Sequence, residues 1–256
     1  MKLDIIYEDN DIIVCHKASG VSSQQERSSD PDMVSLLMNH FYKNGVKNPY
    51  VGVVHRLDKP VAGVIIYGKN ERATKLLSQQ ITSHKFTKKY SAVLCGDGSK
   101  ILSSPSATVN PDGSCTLNDH LLRDAKTNTS HVVDITDKKY SSNREVKKCT
   151  LKFTVEKTVT LTPDSPLYHE DCPYENVLSL VDIELLTGRH HQIRVQFANS
   201  GLALWGDLKY SPFANALKQK KGVALFARSL TITHPVTKKE MTFTAIPSNS
   251  IFKQLV

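Results

Sequence analysis

The residues with the clearest chemical potential lie in the stretch His55-Arg56-Leu57-Asp58-Lys59-Pro60, which places one carboxylate between basic side chains. Asp58 follows the apolar segment Val51–Val54 and precedes Lys59-Pro60, so it lies where a predicted strand gives way to a turn. Acids in such places usually hold a turn by accepting hydrogen bonds from nearby amides. The same carboxylate could also be the one acid that a reaction needs, but the stretch by itself favours the turn.

A second group, Leu185–Arg194, brings two arginines, two histidines and an amide to the start of a predicted helix. Helix N-termini attract anions, and guanidinium forks suit phosphate or carboxylate. The plainer interpretation is an amphipathic surface helix anchored in a core by Ile193 and Phe197. The pair His190 and His191 is a poor metal site in a helix, because adjacent residues point to different faces. A histidine here could act as a general base, but no evident nucleophile accompanies it.

The elements around Asp58 can be predicted from apolar spacing. Two helices are predicted: one opens at Asp30-Pro31 with Pro31 in its first turn, and one is capped by Asn70. Apolar residues recur at helical spacing in both, at Met33, Leu36, Leu37, Phe41, Ala73, Leu76, Leu77 and Ile81. Strands are predicted at Leu3–Tyr7, Ile12–His16, Tyr50–Val54 and Val61–Tyr67. The last two strands flank the Asp58 stretch.

From Lys88 onward the pattern is one of strands and long polar connections. Further strands are predicted at Tyr90–Cys95, Leu151–Thr160, Val177–Leu186, Ala224–Thr233 and Met241–Ala245. Asn110–Gly113 predicts a turn, Thr162–Asn176 an exposed loop, and Arg189–Asn199 a short helix closed by Gly201. Strands dominate without a regular strand–helix alternation, so we predict an α+β fold with a mostly antiparallel sheet. No internal repeat is evident, and residues 1–256 are predicted to form one domain.

Composition narrows the classes of function. The 256 residues are 39% hydrophobic and 23% charged, as in ordinary soluble proteins. The start of the chain lacks the apolar region of a signal peptide, and no apolar run is long enough to span a bilayer. Five scattered cysteines without a C-x-x-C pair argue against a disulfide framework or a zinc site and predict a cytoplasmic protein.

The net charge of +8 favours a polyanionic partner such as nucleic acid, although a solvated lysine-rich surface would explain it equally well. The basic residues cluster in three places: Lys85, Lys88 and Lys89; Lys138, Lys139, Arg144, Lys147 and Lys148; and Lys218, Lys220 and Lys221.

The two chemical stretches together resemble those of RluA-type pseudouridine synthases. The family's H-R-L-D motif corresponds to His55–Asp58, and its T-G-R-x-H-Q-I-R motif to Thr187–Arg194. Four further stretches are similar to the family's opening hairpin, K-x-Y-x-A strand, G-D-x-x-Y turn and late H-P turn: Tyr7–Lys17, Lys88–Val93, Trp205–Tyr210 and Thr233–Thr237. The ordered matches run from residue 7 to residue 247.

This resemblance implies a synthase fold, with a bent, mostly antiparallel mixed sheet, flanking helices and loops, and an active-site cleft across the sheet. It implies isomerisation of uridine in rRNA or tRNA, in which the N1–C1′ bond breaks, the base rotates and C5 bonds to C1′. Ordinary glycosidases need two carboxylates, one of them to manage water or the sugar, whereas an isomerase that keeps its base wants no water. No cofactor or metal is implied, and we expect a monomer that binds structured RNA and no membrane.

The resemblance also implies roles for individual residues. Asp58 would be the catalytic carboxylate, either attacking C1′ or abstracting a sugar proton, and Arg194 would pair with it. Tyr90 would pack against the target base and assist proton removal from C5, while Ile193 forms part of the pocket wall. Arg56 would help to fill the gap left when the uridine flips out, a step that costs a few kcal/mol of unstacking. Two residues, Arg189 and His191, would contact phosphate or the pocket, or else stabilise the helix start.

The chain departs from the family pattern at two places. Val61-Ala62 replaces a small polar pair after the aspartate, and His190 replaces a threonine. The segment 162–176 is predicted to be an insertion, and the chain begins directly at the catalytic hairpin, so the basic surface is expected to capture RNA without an N-terminal S4 module. A kinase, suggested by H-R-D, is excluded because its glycine-rich loop and D-F-G are missing. The remaining alternative is a non-catalytic RNA-binding protein that kept the fold.

Overall fold

The chain divides into two compact units, one of Met1–Lys89 with Phe226–Pro247 and one of Tyr90–Leu225 with Ser248–Val256. The computed structural model describes residues 3–25, 30–170, 172–211, 222–248 and 250–255. The third lysine cluster of the sequence, at Lys218–Lys221, therefore lies outside the described residues. None of the helices in the described ranges has both the length and the apolar character that a membrane crossing requires.

The described residues form strands, α-helices and one 3₁₀-helix. The strands are β1 (Asp4–Glu8), β2 (Ile12–Lys17), β3 (Gly52–Val53), β4 (Ala62–Gly68), β5 (Thr87–Cys95), β6 (Ala107–Val109), β7 (Cys115–Asp124), β8 (Thr129–Val132), β9 (Lys147–Thr160), β10 (Val177–Leu185), β11 (Leu225–Thr233) and β12 (Glu240–Thr244). The α-helices are α1 (Met33–Lys43), α2 (Glu71–Thr82), α3 (Lys138–Ser141), α4 (Gln192–Asn199) and α5 (Ser250–Lys253), and the 3₁₀-helix spans Gly98–Ser103.

In the first unit, β2 pairs with β1 and with β4 in antiparallel fashion, β4 pairs in parallel with β11, and β11 pairs with β12. Strand β2 is apolar in its first four residues and almost wholly buried, as expected for a strand covered on both faces. It joins a core made of Ile12, Val14, Val64, Ile66, Leu77, Phe86, Leu230, Ile232 and Phe243. The parallel pair makes the sheet mixed.

Helix α2 packs closely over the end of this sheet. A Cβ atom on either Gly52 or Gly68, which face each other across β3 and β4, would lie about 2 Å from the hydroxyl of Thr74. Only glycine leaves room for the helix at this distance. The predicted cap is confirmed, since Asn70 accepts a hydrogen bond from Ala73 N at 2.8 Å.

In the second unit, strands β5, β10, β9, β7 and β6 lie in that order, and β8 pairs with β7. The long β9–β10 hairpin runs from Val177 opposite Thr160 to Leu185 opposite Leu151. Its connection is the predicted loop 162–176, whose described residues contain neither helix nor strand. The α+β class with a mostly antiparallel, mixed sheet is therefore confirmed.

Three details of the sequence prediction are wrong. Helix α1 begins at Met33, and Asp32 rather than Pro31 starts it, because its carboxylate accepts from Ser35 N. Helix α4 begins at Gln192, three residues later than predicted, because His191 adopts a left-handed φ of 54°. Strand β7 is missing from the predicted strands, because its alternation is masked by Asp119, a buried acid held by Gln196 Nε2 at 2.7 Å.

Candidate active site

Asp58 lies on the loop between β3 and β4, in the first unit. Its carbonyl accepts from Val61 N at 2.9 Å, which closes a turn over Lys59-Pro60. The expected turn is therefore present, but its hydrogen bond is accepted by the backbone carbonyl of Asp58. Its side chain is half-buried. The carboxylate is thus carried by a short, closed turn rather than by a long loop.

A second loop, residues 17–23, holds this turn from the side. The Ser23 hydroxyl donates to Leu57 O at 2.7 Å and accepts from Leu57 N at 2.9 Å. Gly20 N donates to Lys59 O at 2.8 Å, and the Ser19 hydroxyl donates to Pro60 O at 2.8 Å. Both residues that flank Asp58 therefore have fixed backbone positions.

Lys17 is the buried centre of these contacts. Its side chain has 0% exposure, and its ammonium donates to Val21 O at 2.7 Å and to Ala18 O and Lys59 O at 3.2 Å. Three carbonyls match the three donors of an ammonium. Burial lowers the pKa of Lys17 to about 8, and the nearby charge of Asp58 opposes this shift. Lys17 therefore contributes a buried positive charge as well as the bonds that join the two loops.

His55 and Arg56, which precede Asp58, have different environments. Nε2 of His55 accepts from Ile66 N at 3.2 Å, and its ring packs against Phe86. Burial, helped by the charge of Lys88, lowers the pKa of His55 to about 3, so the ring is neutral and structural. Arg56 is exposed.

The second chemical cluster lies at the start of α4, in the second unit. The side-chain oxygen of Gln192 accepts from the Thr187 hydroxyl at 2.8 Å and from Arg189 N at 3.0 Å. Its amide nitrogen donates to Thr150 O on β9. These bonds tie the approach to the helix to the sheet. The C-terminus is closed as predicted: Gly201 has a φ of +87°, and Leu202 N bonds back to Phe197 O.

Arg194, on the first turn of α4, forms a buried bidentate pair with Asp207. Nε and Nη2 lie 2.7 Å from Oδ2 and Oδ1, and the two side chains are 6% and 0% exposed. Asp207 also accepts from the amides of Lys209 and Tyr210, and the guanidinium lies over the Tyr210 ring at 5.1 Å. The plane of the guanidinium is therefore fixed on two sides.

The two histidines are closer to each other than the sequence predicted. Because His191 is left-handed and lies before the helix, the rings of His190 and His191 stack with centroids 3.7 Å apart. The two side chains therefore do not point to different faces, and that prediction is wrong. Nδ1 of His190 lies 2.9 Å from the Ser130 hydroxyl and Nδ1 of His191 lies 2.6 Å from the Tyr210 hydroxyl, so each ring has a hydrogen-bonding partner.

The remaining predicted residues lie in the second unit, two of them buried and one exposed. Tyr90 lies in β5 and is 7% exposed, and Ile193 is 4% exposed within the first turn of α4. Arg189 is exposed, and its Nε donates to Lys148 O at 3.0 Å. Arg189, His191, Ile193 and Arg194 are thus brought together at one helix start, while Asp58 and Arg56 share the turn of the first unit. The pairing of Asp58 with Arg194 stays a prediction.

One group of acids and histidine has the composition of a metal site: Asp9, Asp11 and His234. Nδ1 of His234 accepts from the amides of Val236 and Thr237, so Nε2 carries the proton and donates to Asp9 Oδ2 at 2.9 Å. The other Asp9 oxygen accepts two backbone amides. The group is therefore a hydrogen-bonded corner that joins the first hairpin to the turn after β11.

The sequence from β2 to the end of α4 matches a known family. A model described as RNA pseudouridylate synthase covers residues 11–199, which include both chemical clusters. The chain belongs to the RNA pseudouridylate synthase family. Its members are isomerases.

Curated relatives extend this match over nearly the whole chain. The RNA pseudouridine synthase YlyB of Bacillus subtilis is 32% identical over 252 residues, which are 96% of this chain and 69% of that protein. The tRNA pseudouridine synthase C of Haemophilus ducreyi is 27% identical, with 96% of this chain and 91% of the relative covered. Ribosomal large subunit pseudouridine synthase D of Buchnera aphidicola is 26% identical, with 94% and 69% covered.

Solved structures show the same fold. Human RNA Pseudouridylate Synthase Domain Containing 4 aligns with a TM-score of 0.68 and 18% identity, covering 98% of this synthase-family chain and 90% of the human chain. Human RNA Pseudouridylate Synthase Domain Containing 1 aligns with a TM-score of 0.64 and 19% identity, covering 99% and 94%. The predicted fold family is confirmed.

Four residues of the site were not assigned roles from the sequence: Lys17, Ser23, Asp207 and Tyr210. Three of them lie in stretches that resemble the family, the opening hairpin and the G-D-x-x-Y turn, so a signal was present. Their roles depend on partners distant in sequence, such as Lys59 for Lys17 and Ser130 for Tyr210. Spacing along the chain does not reveal such pairs.

Proposed function

We propose that this protein isomerises uridine to pseudouridine within structured RNA, with Asp58 as its single catalytic carboxylate and without a cofactor. The observation that carries the proposal is the family match over residues 11–199, which contains the H-R-L-D stretch. The fixed turn adds support, because a catalytic group must be held in a productive position. Buried contacts from Lys17 and Ser23 supply that restraint.

The reaction needs no external group. The N1–C1′ bond breaks, the uracil rotates while it stays bound, C5 bonds to C1′, and the C5 proton is removed while N1 gains one. Asp58 either attacks C1′, with the C1′–oxygen bond broken when C5 rejoins, or removes a proton from the sugar and returns it when C5 bonds to C1′. Each route uses one carboxylate and consumes no water.

The other residues act around this step. Arg194 pairs with Asp58 in the proposed complex, and its guanidinium is already oriented by Asp207. Tyr90 packs against the base and assists removal of the C5 proton, and Ile193 forms part of the apolar pocket wall. Arg56 helps to fill the space left by the flipped uridine. Arg189 and His191 contact the RNA backbone or the rim of the pocket.

We propose rRNA or tRNA as the substrate class. Relatives are named for both, as a tRNA synthase and as a large ribosomal subunit synthase. The net charge of +8 suits either polyanion. We expect a monomer that acts in the cytoplasm. A cytoplasmic location agrees with the free state of all five cysteines.

The decisive experiment compares Asp58→Asn with the wild type on bulk tRNA and rRNA transcripts. Pseudouridine formation should fall to background, while RNA affinity stays within about threefold, since the substitution is isosteric and affinity comes mainly from phosphate contacts. Asp112→Asn removes an exposed carboxylate that pairs with Lys152 and is the matched control, expected to retain full activity. Full activity in Asp58→Asn would refute the assignment of the carboxylate.

Mapping pseudouridine across total RNA with and without the gene would identify the substrate. At least one site should disappear, and it should return on complementation with the wild type but not with Asp58→Asn. If every site persists while the protein still binds RNA, the non-catalytic RNA-binding alternative is supported instead.

A further inference from the structure

Three basic side chains of the second unit are held in place by neutral acceptors. Arg189 Nε donates to Lys148 O at 3.0 Å, Lys209 Nζ donates to Asn128 O at 2.9 Å, and Arg123 Nη2 donates to Asn128 Oδ1 at 3.1 Å. All three residues, like Lys148, are exposed. Within the described residues, none of these four cations has a carboxylate within ion-pair distance.

Several other fixed lysines are held by a carboxylate instead. Lys59, Lys69 and Lys152 are each held by a carboxylate at 2.6–2.7 Å, which neutralises them. Exposed cations without side-chain bonds, in contrast, lose rotamer freedom when they bind a partner. A cation fixed by a carbonyl keeps its full charge and has already lost much of that freedom. It is therefore ready to bind an anion.

The four cations belong to one closed set of contacts, which we call the basic ledge (Arg123, Lys148, Arg189 and Lys209). From Arg189 the chain continues to His190, whose ring bonds to the Ser130 hydroxyl. Ser130 lies opposite Arg123 across β7 and β8, and its amide donates to the hydroxyl of Tyr210, the neighbour of Lys209. Asn128, at the tip of the β7–β8 hairpin, joins Arg123 to Lys209.

The ledge is continuous with the residues at the start of α4, which belong to the same unit. Tyr210 lies under the guanidinium of Arg194 and bonds to His191, so an RNA strand held on the ledge would lead towards the first turn of α4. The nearest hairpin carboxylate, Asp124, is engaged by the amides of Lys126 and Thr127. That carboxylate keeps its negative charge, so the ledge offers a partner four positive charges beside one negative charge.

We propose that the basic ledge is a docking surface for the phosphate backbone of the RNA substrate, outside the pocket that takes the uridine. This inference rests on the proposed function for its ligand class, but its evidence is the geometry of the three fixed cations and the exposed position of Lys148, whose carbonyl holds Arg189. Two arginines suit bidentate phosphate contacts, and two lysines supply point charges. An acidic protein partner is the competing occupant.

The test is a triple variant, Lys148→Gln, Arg189→Gln and Lys209→Gln, with binding to bulk tRNA measured between 50 and 300 mM KCl. Affinity should fall about tenfold or more, and the slope of log K against log[salt] should become shallower by about 2, since each single-strand phosphate contact contributes about 0.7. Lys43→Gln, Arg72→Gln and Lys75→Gln remove the same charge from exposed positions on α1 and α2 and form the matched control. This control should change the slope by less than half as much.

Equal losses in the two triple variants would refute the ledge, because net charge alone would then explain them. Unchanged tRNA binding with lost binding to poly-glutamate would also refute it, in favour of an acidic protein partner. Circular dichroism and thermal melts establish folding, and Lys148→Gln and Lys209→Gln alone should each reduce the slope by about 0.7.

The experiment separates this inference from the proposed function. Ledge-dependent tRNA binding by a wild type that forms no pseudouridine would leave the ledge standing and refute the enzyme. If the wild type forms pseudouridine but its tRNA binding does not depend on the ledge, the proposed function stands and the ledge is refuted.

Discussion

The hydroxyl of Ser23 forms two hydrogen bonds with one residue, donating to the carbonyl of Leu57 and accepting from its amide, at 2.7 and 2.9 Å. Both residues are buried, with 4% and 6% exposure. Ser23 is fixed in turn by Tyr67, whose hydroxyl donates to Ser23 O at 2.7 Å. The carbonyl and amide of Leu57, immediately before Asp58, are thus both hydrogen-bonded, as they would be beside a neighbouring β-strand. Here the partner is a side chain.

Ser23→Ala should lower both stability and turnover. Two backbone groups of Leu57 would remain buried without partners, which costs about 1–3 kcal/mol of unfolding free energy. The turn that carries Asp58 would lose its restraint, and misplacement of about 1 Å costs up to about a hundredfold in rate. We expect kcat to fall more than tenfold while KM for RNA changes less than threefold, as measured by single-site pseudouridine assays and urea unfolding.

Ser19→Ala is the matched control for this prediction. It removes one hydroxyl bond to the same turn, Ser19 to Pro60 O, but at an exposed position where water can replace it. Its effect on kcat should be less than threefold. Equal kcat values for Ser23→Ala and the wild type would show that Asp58 does not depend on this contact.

Local signals in the sequence were read correctly where the interaction is itself local. Asn70 caps α2 through an amide three residues on, and Gly201 closes α4 through a left-handed backbone. The prediction failed at Pro31 because Asp32 offers a better cap one residue later. It failed at β7 because Asp119 occupies an inward position, and only the distant Gln196 explains how a carboxylate can be buried there.

The same contrast between local signals and contacts distant in sequence applies to the candidate site. Asp58, Tyr90 and Arg194 could be named from motifs, and the structure places each in a buried or restrained setting. The partner of Arg194 within its own unit, Asp207, could not be assigned, because a bidentate pair depends on the course of the chain between residues 194 and 207. Whether Arg194 also pairs with Asp58 stays a prediction.

Asp207→Asn should be strongly destabilising. The substitution leaves the Arg194 guanidinium buried with an uncompensated charge, and breaking such a pair costs about 3–5 kcal/mol. Asp112→Asn breaks the exposed pair with Lys152 and should cost less than about 1 kcal/mol. Urea denaturation of the two variants measures the difference. Similar losses in both would mean that burial of the Arg194–Asp207 pair is energetically unimportant.

Removal of divalent metal should not affect the corner formed by Asp9, Asp11 and His234. Both ring nitrogens of His234 and both oxygens of Asp9 have partners within the protein, so a metal ion would have to displace existing hydrogen bonds. We expect EDTA to shift the melting temperature by less than about 1 °C, whereas His234→Ala should cost about 1–3 kcal/mol. A clear drop in melting temperature with EDTA, reversed by zinc, would identify this corner as a metal site.

Lys17 should make turnover sensitive to alkaline pH. Its pKa is lowered by burial from 10.5 to about 8, and the charged and titratable group that acts on it is Asp58. Below pH 8 the ammonium donates to three carbonyls and places a positive charge near Asp58. As pH rises through 8 it loses one donor and its charge. We therefore expect kcat to fall between pH 7.5 and 9, and Lys17→Met to be less active but flat over this range.

Stability should change in the opposite direction. Because the pKa of Lys17 is lower in the folded protein than in the unfolded chain, the unfolded chain binds more protons between pH 8 and 10.5, and the cost of burying the charge declines as pH rises. The unfolding free energy of the wild type relative to Lys17→Met should therefore increase with pH, by at most about 1.4 kcal/mol per unit.

Lys59→Met, which removes a solvent-accessible lysine from the same turn, should keep the alkaline fall in kcat. If kcat of Lys17→Met falls with pH as it does in the wild type, the titrating group is not Lys17.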